Sequence, residues 1–163
     1  MKIVFIGLGR MGFPMAGHLA KAGCDVTVFN RSVKKSKLWT EKYNRPYSEC
    51  LEDLPNELDM VITCLKDDTS IIDILSNEHL VNKVKPGGFI VDHSTTSVEL
   101  VRELYTLYKT NDIAFYDSPV SGGELGAQNG QLSVMIGGDV ASLNKIKPII
   151  QHYAKAIEYI GLS

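Results

Sequence analysis

The sequence predicts an α/β fold of the doubly wound type, in which a mostly parallel sheet carries helices on both faces. Short apolar runs rich in β-branched residues alternate with amphipathic stretches along the chain. A glycine-rich turn, GLGRMG at residues 7–12, joins the first apolar run to the first amphipathic stretch. The 163 residues are also enough for one domain with a substantial core.

Composition and charge exclude several classes of function. A formal net charge of -2 argues against a nucleic-acid or membrane-surface partner, because such proteins usually carry a basic patch. No apolar run approaches the ~20 residues of a membrane span, and the chain enters a strand at once without a signal peptide. The three cysteines lack metal-ligand spacing. We therefore expect a cytoplasmic protein without a metal site.

The first strand and helix surround the glycine-rich turn. Residues 3–6 have the length and branching of a buried strand. Met11, Met15 and Leu19 then repeat at the spacing of one helix face, Pro14 suits a first turn, and Gly23 suits a C-terminal cap.

A strand, a G-x-G-x-x-G turn and a helix in this order predict a dinucleotide site rather than a plain tight turn. The first glycine permits the turn, the second lets a pyrophosphate approach the backbone, and the third lets the helix pack on the sheet. The helix N-terminus offers free N–H groups to phosphates. The residues predicted to bind the cofactor here are Gly7, Leu8, Gly9, Arg10, Met11 and Gly12.

The residues after the second predicted strand, 25–29, indicate which cofactor is preferred. An NAD site usually places Asp or Glu there to bind the adenosine ribose. This chain has Asn30, Arg31 and Ser32 instead, of which Arg31 and Ser32 can donate to a 2′-phosphate. We therefore predict that NADP(H) is preferred and NAD(H) possible. The lysines that follow, 34, 35 and 37, are equally explained as a solvated basic helix start.

The middle of the chain is predicted to contribute a third strand, two helices and a short helical turn. A helix over 32–43 would bury Val33, Leu38 and Trp39, and residues 48–54 suggest a short helical turn. The apolar run 59–65 predicts a buried strand, followed by a helix over 69–75. At the end of that strand, Cys64, Leu65 and Lys66 are expected to line the cofactor crevice.

A fourth strand, 89–92, leads into another loop at the same edge of the sheet. Thr96 and Glu99 have the spacing of a capping box for a helix over 97–109. This interpretation leaves Ser94 and Thr95 free to meet the nicotinamide ribose.

A fifth strand is predicted over 113–117, and the segment that follows it contains a serine followed by two glycines. Ser121, Gly122 and Gly123 could expose backbone N–H groups that suit a substrate carboxylate. A loop that simply needs positive φ explains the glycines equally well. Beyond it, the pattern predicts a strand over 132–136, a helix over 140–153 and a short strand over 157–160.

Two separated motifs resemble those of the β-hydroxyacid dehydrogenase family, which includes 3-hydroxyisobutyrate dehydrogenase and, more distantly, 6-phosphogluconate dehydrogenase. FIGLGRMGFPM at residues 5–15 resembles the family's N-terminal fingerprint, and DSPVSGG at 117–123, followed by Gly126-Ala127, resembles its substrate-binding motif. Residues 30–32 resemble its NADP-preferring branch, and residues 93–95 its nicotinamide-side loop. The resemblance covers nearly all of the chain and implies a Rossmann-type domain over residues 1–163.

The resemblance also implies an activity that these residues do not complete. The family transfers a hydride between the nicotinamide and a small 3-hydroxy acid or semialdehyde. It uses a lysine in a G-x-x-G-x-G-x-x-x-K-x-x-N pattern which, if it began at Gly161, would place the lysine beyond Ser163. A second, helical domain that carries the dimer contacts would follow. We therefore expect this chain to bind nucleotide without catalytic turnover, as part of a homo-oligomeric parent enzyme.

Two alternatives remain open from the sequence. The chain could be a module that senses NADP(H) and never catalyses a reaction. It could instead belong to an imine reductase, which uses a similar N-terminal domain, although a carboxylate cradle at residues 121–123 has no evident role with a neutral imine.

Overall fold

The computed structural model describes residues 1–162. Within that range the chain forms nine strands joined into one sheet. The strands are β1 (Lys2–Ile6), β2 (Asp25–Phe29), β3 (Tyr47–Ser48), β4 (Leu58–Thr63), β5 (Val84–Asp92), β6 (Ala114–Asp117), β7 (Val120–Ser121), β8 (Leu132–Gly137) and β9 (Ala154–Gly161).

Seven α-helices connect these strands within the described residues. They are α1 (Gly12–Lys21), α2 (Val33–Tyr43), α3 (Asp68–Leu75), α4 (Glu78–Val81), α5 (Val98–Thr110), α6 (Gly123–Gln128) and α7 (Leu143–Ile150). A 3₁₀ turn at Val140–Ser142 precedes α7.

The sheet is mostly parallel, with antiparallel pairing only at β8 among the described strands. The order is β3-β2-β1-β4-β5-β6-β8-β7, with β9 beside β8. All neighbours from β3 to β6 are parallel, β8 is antiparallel to β6 and β7, and β9 is parallel to β8. Because the chain moves outward from β1 to β3 and then returns to β4, a crevice opens above the carboxyl ends of β1 and β4.

Two apolar layers cover the sheet and confirm the doubly wound prediction. Helices α1, α2, α6 and α7 contribute to the layer on one face, where Met15, Trp39 and Ile146 are fully buried. Helices α3, α4 and α5 form the other layer, around Ile71 and Leu104. Strands buried on both faces read as continuous apolar runs, which is why the sequence pattern located most of them.

Several local predictions were wrong, and in each case tertiary contacts decided the outcome. The helical turn predicted over 48–54 is only partly present: Tyr47–Ser48 pairs with β2 as an edge strand, and one turn at 51–54 is closed by a hydrogen bond from the N–H of Leu54 to the carbonyl of Leu51 at 3.3 Å. In α2, Leu38 is 50% exposed although its pattern predicted burial. Helix α6 was not predicted, because its six residues include two glycines and carry almost no helical signal.

The capping box predicted at Thr96 and Glu99 does not form. Ser97 occupies the N-cap position of α5 and makes no side-chain capping bond. The Thr96 hydroxyl instead donates to Oδ2 of Asp92 at 2.9 Å. A buried carboxylate needs donors more than a solvent-facing helix end does, and this requirement redirects the Thr96 side chain.

Candidate functional site

A cleft of about 430 Å³ opens where the sheet order reverses, above the carboxyl ends of β1, β2 and β4. It contains eleven of the fourteen residues that were predicted to bind the cofactor. These eleven are Gly7, Gly9, Arg10, Met11, Gly12, Asn30, Arg31, Ser32, Cys64, Leu65 and Lys66. Leu8, Ser94 and Thr95 do not line it. Three segments far apart in sequence therefore meet at one site.

The glycines of the turn between β1 and α1 have different surroundings. Gly7 has a φ of +99°, and a Cβ at that position would overlap the carbonyl oxygen of Cys64. A Cβ at Gly12 would overlap the carbonyl oxygen of Gly7, which shows how closely α1 approaches the turn. A Cβ at Gly9 would meet nothing within 4 Å. Gly7 and Gly12 are thus required by the fold, whereas at Gly9 the structure leaves open space on the cleft side.

The start of α1 faces this open space without a side-chain cap. Its N-cap residue is Met11, which makes no side-chain capping bond. The N–H of Phe13 donates to the carbonyl of Gly9 at 3.1 Å, so the turn itself is rigidly connected to the helix. A helix N-terminus with uncapped N–H groups and a partial positive charge favours an anion such as a phosphate.

Asn30 holds the glycine turn in place. Its Oδ1 accepts a hydrogen bond from the backbone N–H of Leu8 at 2.9 Å, and its Nδ2 donates to the carbonyl of Ser32 at 3.2 Å. The side chain of Leu8 is buried in the core. The predicted cofactor contact of Leu8 is therefore not supported, because neither its side chain nor its N–H is free. Asn30 links the two loops that form the cleft.

The charges that line the cleft are mostly positive. The side chains of Arg10, Arg31, Lys35 and Lys66 are cationic, and Asp73 is the one acidic residue among those that line it in the described chain. Lys35 was interpreted from sequence as part of a solvated helix start. The available signal was its position in the first turn of α2, close in sequence to Arg31 and Ser32.

The wall opposite α2 comes from α3 and was not predicted. Ser70, Asp73 and Ile74 line it. Asp67 caps this helix, with its Oδ1 accepting from the N–H of Ser70 at 2.9 Å and from the Ser70 hydroxyl at 2.7 Å. Sequence reasoning placed the helix but could not show which of its faces turns towards the glycine loop.

The loop after β5 is organised by a buried carboxylate. Oδ1 of Asp92 accepts from the hydroxyls of Thr63 at 2.7 Å and Ser94 at 2.5 Å, and from the Ser94 N–H at 3.1 Å. The Ser94 hydroxyl also accepts from the N–H of Leu65 at 2.9 Å. The Ser94 hydroxyl is thus not free, as the sequence pattern had suggested, because it donates to Asp92 and accepts from Leu65. A contact of Ser94 with the nicotinamide ribose stays a prediction. Thr95 is exposed.

The predicted carboxylate loop lies beside the cleft rather than in it. Ser121 ends β7, and Gly122 and Gly123 follow with φ values of +128° and +60°. All three residues are exposed. Just before them, burial and the neighbouring Asp92 raise the pKa of Asp117 to about 6. The loop therefore has the unusual backbone and accessibility that were expected of it, with a carboxyl group of raised pKa at its base.

His93 ties this loop to the body of the domain. The ring is buried, with Nδ1 2.6 Å from the carbonyl oxygen of Ser118 and Nε2 2.8 Å from the hydroxyl of Tyr153. Because a carbonyl can only accept, Nδ1 carries the proton and Nε2 accepts from Tyr153. Burial lowers the pKa of His93 to about 4 and raises that of Tyr153. Both groups are therefore neutral at physiological pH.

We expect His93 to make the domain less stable in mild acid. An unfolded imidazole takes up a proton near pH 6.5, whereas the folded one does so only near pH 4. The folded state binds fewer protons in this window, so His93 should reduce the free energy of unfolding by up to about 3 kcal/mol as the pH falls from 6.5 to 4. Urea unfolding across this range should show a smaller loss for His93→Gln than for the original protein. Identical pH profiles would contradict the prediction.

Residues 1–162 contain neither a metal-binding cluster nor a membrane-spanning helix. No group of three or more His, Cys, Asp or Glu side chains is arranged to hold a metal ion. Within the same range, no helix combines the length and the apolar run needed to cross a bilayer. Cys64, at the cleft, is half-buried, and burial together with Asp92 raises the pKa of its thiol to about 12.

Comparison with protein families and known sequences gives consistent matches along the chain. Residues 2–161 match the model described as the NAD binding domain of 6-phosphogluconate dehydrogenase. An oxidoreductase of Shewanella frigidimarina is 44% identical over 98% of this chain and 55% of its own length. The mitochondrial 3-hydroxyisobutyrate dehydrogenase of Drosophila melanogaster is 34% identical over 98% of this chain and 49% of its own. The chain thus spans about half the length of these relatives.

Solved structures show the same architecture. The 3-hydroxyisobutyrate dehydrogenase of Mycobacterium tuberculosis with L-serine matches with a TM-score of 0.92 and 29% identity, over 99% of this chain and 55% of that one. An imine reductase of Myxococcus stipitatus in complex with NADP+ matches with a TM-score of 0.87 at 19% identity, over 99% of this chain and 55% of that one. The imine reductase likeness shows the fold alone.

Proposed function

Because this chain belongs to the family of the NAD binding domain of 6-phosphogluconate dehydrogenase, we propose that its cleft binds NADP(H) in preference to NAD(H). One observation carries the proposal: the glycine turn, the residues after β2 and the end of β4 meet around a single cleft where the sheet order reverses. Ligands of open α/β sheets bind at such switch points.

The residues fit a pyridine dinucleotide. Gly9 leaves open space beside the uncapped start of α1, where a pyrophosphate would receive backbone N–H groups. Arg10 would add a charged donor from the same turn. The wall formed by α2 and α3, with Arg31 on one side and Ile74 on the other, would hold the adenosine half. When bound, the cofactor supplies the hydride chemistry, and the protein positions it.

The preference for NADP(H) rests on the residues that follow β2. Asn30 occupies the position where a typical NAD site has an acidic residue. Its side chain is hydrogen-bonded to the N–H of Leu8 and to the carbonyl of Ser32. Arg31, Ser32 and Lys35 line the cleft beside it, and Ser32 makes no capping bond that would occupy its hydroxyl. A charge-assisted hydrogen bond to a 2′-phosphate contributes roughly 1.5–3 kcal/mol, which is about ten- to a hundredfold in affinity.

For the whole protein we propose hydride transfer between NADP(H) and a small 3-hydroxy acid or semialdehyde. The 3-hydroxyisobutyrate dehydrogenases among the relatives support this substrate class. Ser121, Gly122 and Gly123 would hold the substrate carboxylate through the Ser121 hydroxyl and exposed N–H groups. His93 would position that loop through the Ser118 carbonyl. A neutral cyclic imine has no carboxylate for these groups, so the same loop argues against imine reduction.

We propose that residues 1–163 form one domain, which by itself binds the nucleotide without catalytic turnover. Two titratable groups near the cleft and the carboxylate loop are poor proton donors to a substrate. His93 keeps its proton on Nδ1 against Ser118, and the Cys64 thiol has a pKa of about 12. In a protein as long as the relatives, the other half would supply the general acid and the main subunit contacts of a homo-oligomer. We propose that this protein acts in the cytoplasm. A pure NADP(H) sensor would show the same binding, and only the activity of that longer protein separates the two roles.

A nucleotide titration of these residues tests the proposal. Trp39 is the one tryptophan in the sequence, and its indole N–H donates to the carbonyl of Phe13 in α1 at 3.2 Å. Its fluorescence should therefore report binding at the glycine turn. We expect NADPH to bind at least about tenfold more tightly than NADH. Equal affinities would contradict the cofactor preference, and no binding of either nucleotide at millimolar concentration would contradict the site.

A further inference from the structure

Arg10 lies between the cleft and the carboxylate loop. It belongs to the glycine turn and lines the cleft, while its side chain is 88% exposed. Its Nε is 3.9 Å from Oε2 of Glu124, the second residue of α6. The contact uses the inner nitrogen of the guanidinium group. Because the guanidinium carries further donors in a fixed planar fork, one cation can face Glu124 and a second anion together.

Glu124 is held in this position from two directions. The side-chain amide of Gln128 donates to its Oε1 at 3.2 Å, which leaves Oε2 for Arg10. At the other end of α6, Nε2 of His18 donates to the carbonyl oxygens of Ala127 at 3.0 Å and Gln128 at 3.1 Å. Since His18 belongs to α1, helix α6 is attached to the helix that carries the glycine turn. Glu124 is therefore an acidic neighbour of Arg10 on a helix that is attached to α1.

We infer that Glu124 lowers the affinity of the cleft for nucleotide by competing with its phosphates for Arg10. This inference rests on the proposed function and adds a regulation of the same site. A carboxylate beside Arg10 neutralises part of the charge that would attract a phosphate, and it restrains the guanidinium on the side of α6. Removing that carboxylate should strengthen nucleotide binding, although Glu124 does not itself line the cleft.

The contact also links the two parts of the site. Glu124 directly follows Gly123, so its negative charge lies next to the loop that would receive a substrate carboxylate. Arg10 is the cation paired with that charge. A bound dinucleotide that attracts Arg10 would leave Glu124 less neutralised. The two binding sites would then influence each other through a single arginine.

The test is a double-mutant cycle on nucleotide affinity, with NADPH as the probe and Trp39 fluorescence as the signal. Glu124→Gln should tighten NADPH binding about two- to fivefold at low salt, the range expected for an exposed ion pair. The gain should shrink at high salt, because exposed charges are screened. Arg10→Ala should weaken binding, and adding Glu124→Gln to Arg10→Ala should then change little.

Glu99→Gln is the matched control, since Glu99 is also an exposed acidic residue in the first turn of a helix but, unlike Glu124, forms no ion pair with Arg10. An equal gain from Glu99→Gln and Glu124→Gln would overturn the inference, as would a full gain from Glu124→Gln in the Arg10→Ala background. Absence of NADPH binding to the original protein would instead overturn the proposed function. The two failures are therefore distinguishable.

Discussion

Gly9→Ala is expected to weaken NADPH binding by about ten- to a hundredfold while the domain stays folded. A Cβ at this position meets no protein atom within 4 Å, and Gly9 does not use a positive φ, so alanine fits the free protein. The added methyl group would project where the pyrophosphate approaches the backbone. Overpacking a close contact costs about 1–3 kcal/mol, which corresponds to about five- to 150-fold in affinity and brackets the expected loss. Fluorescence titration gives the affinity, and thermal unfolding gives the stability.

Gly12→Ala provides the contrast within the same turn. Its Cβ would overlap the carbonyl oxygen of Gly7, so this variant should lose stability as well as binding. A clear fall in Tm for Gly12→Ala with almost none for Gly9→Ala would separate a glycine required by packing from one required by the ligand. Unchanged NADPH affinity in Gly9→Ala would show that the phosphates do not lie against this turn.

Arg31→Ala is expected to reduce NADPH affinity by about ten- to a hundredfold and to leave NADH affinity within about twofold. The two nucleotides differ only in the 2′-phosphate, and Arg31 is an exposed cation that lines the cleft after β2. Loss of the Arg31 side chain should therefore lower the affinity for NADPH and hardly change the affinity for NADH. Parallel titrations with both nucleotides measure the change in preference.

Lys34→Ala is the matched control for Arg31→Ala. It removes one positive charge from the same segment, but Lys34 does not line the cleft. A similar loss in both variants would mean that the general charge of α2, rather than a contact from Arg31, attracts the phosphate. Equal losses of NADPH and NADH affinity in Arg31→Ala would place the arginine away from the 2′-phosphate.

Much of the cleft could be predicted because its parts are coded locally. The run of residues 2–23 contains a strand, a glycine turn and a helix within one continuous segment, and each has a short-range signature. The end of β4 was assigned to the same crevice by a topological rule for parallel sheets. In contrast, β3 pairs only two residues with β2, and such a short edge strand leaves no periodic pattern.

The roles of the side chains were harder to predict from the sequence, because a hydrogen-bond partner can lie anywhere in the chain. Ser94 and Thr96 looked free or locally engaged, yet both serve the buried carboxylate of Asp92. Asn30, which lines the cleft and whose cofactor contact stays a prediction, also accepts a hydrogen bond from the N–H of Leu8, 22 residues away, and the sequence pattern did not show that role. In each case a hydrogen bond with a buried or partly buried polar group decided the role of the side chain, and the local sequence pattern did not predict that bond.

The sequence by itself determined the class of fold, the glycine turn and the absence of an acidic residue after β2. These features follow from hydrophobic periodicity and backbone freedom, which act over a few neighbouring residues. Only the tertiary structure decided that α3 forms the second wall of the cleft, that His93 is buried and neutral, and that Glu124 lies against Arg10. Those outcomes depend on which surfaces meet when the sheet is covered, and the free energy of that packing is summed over the whole domain.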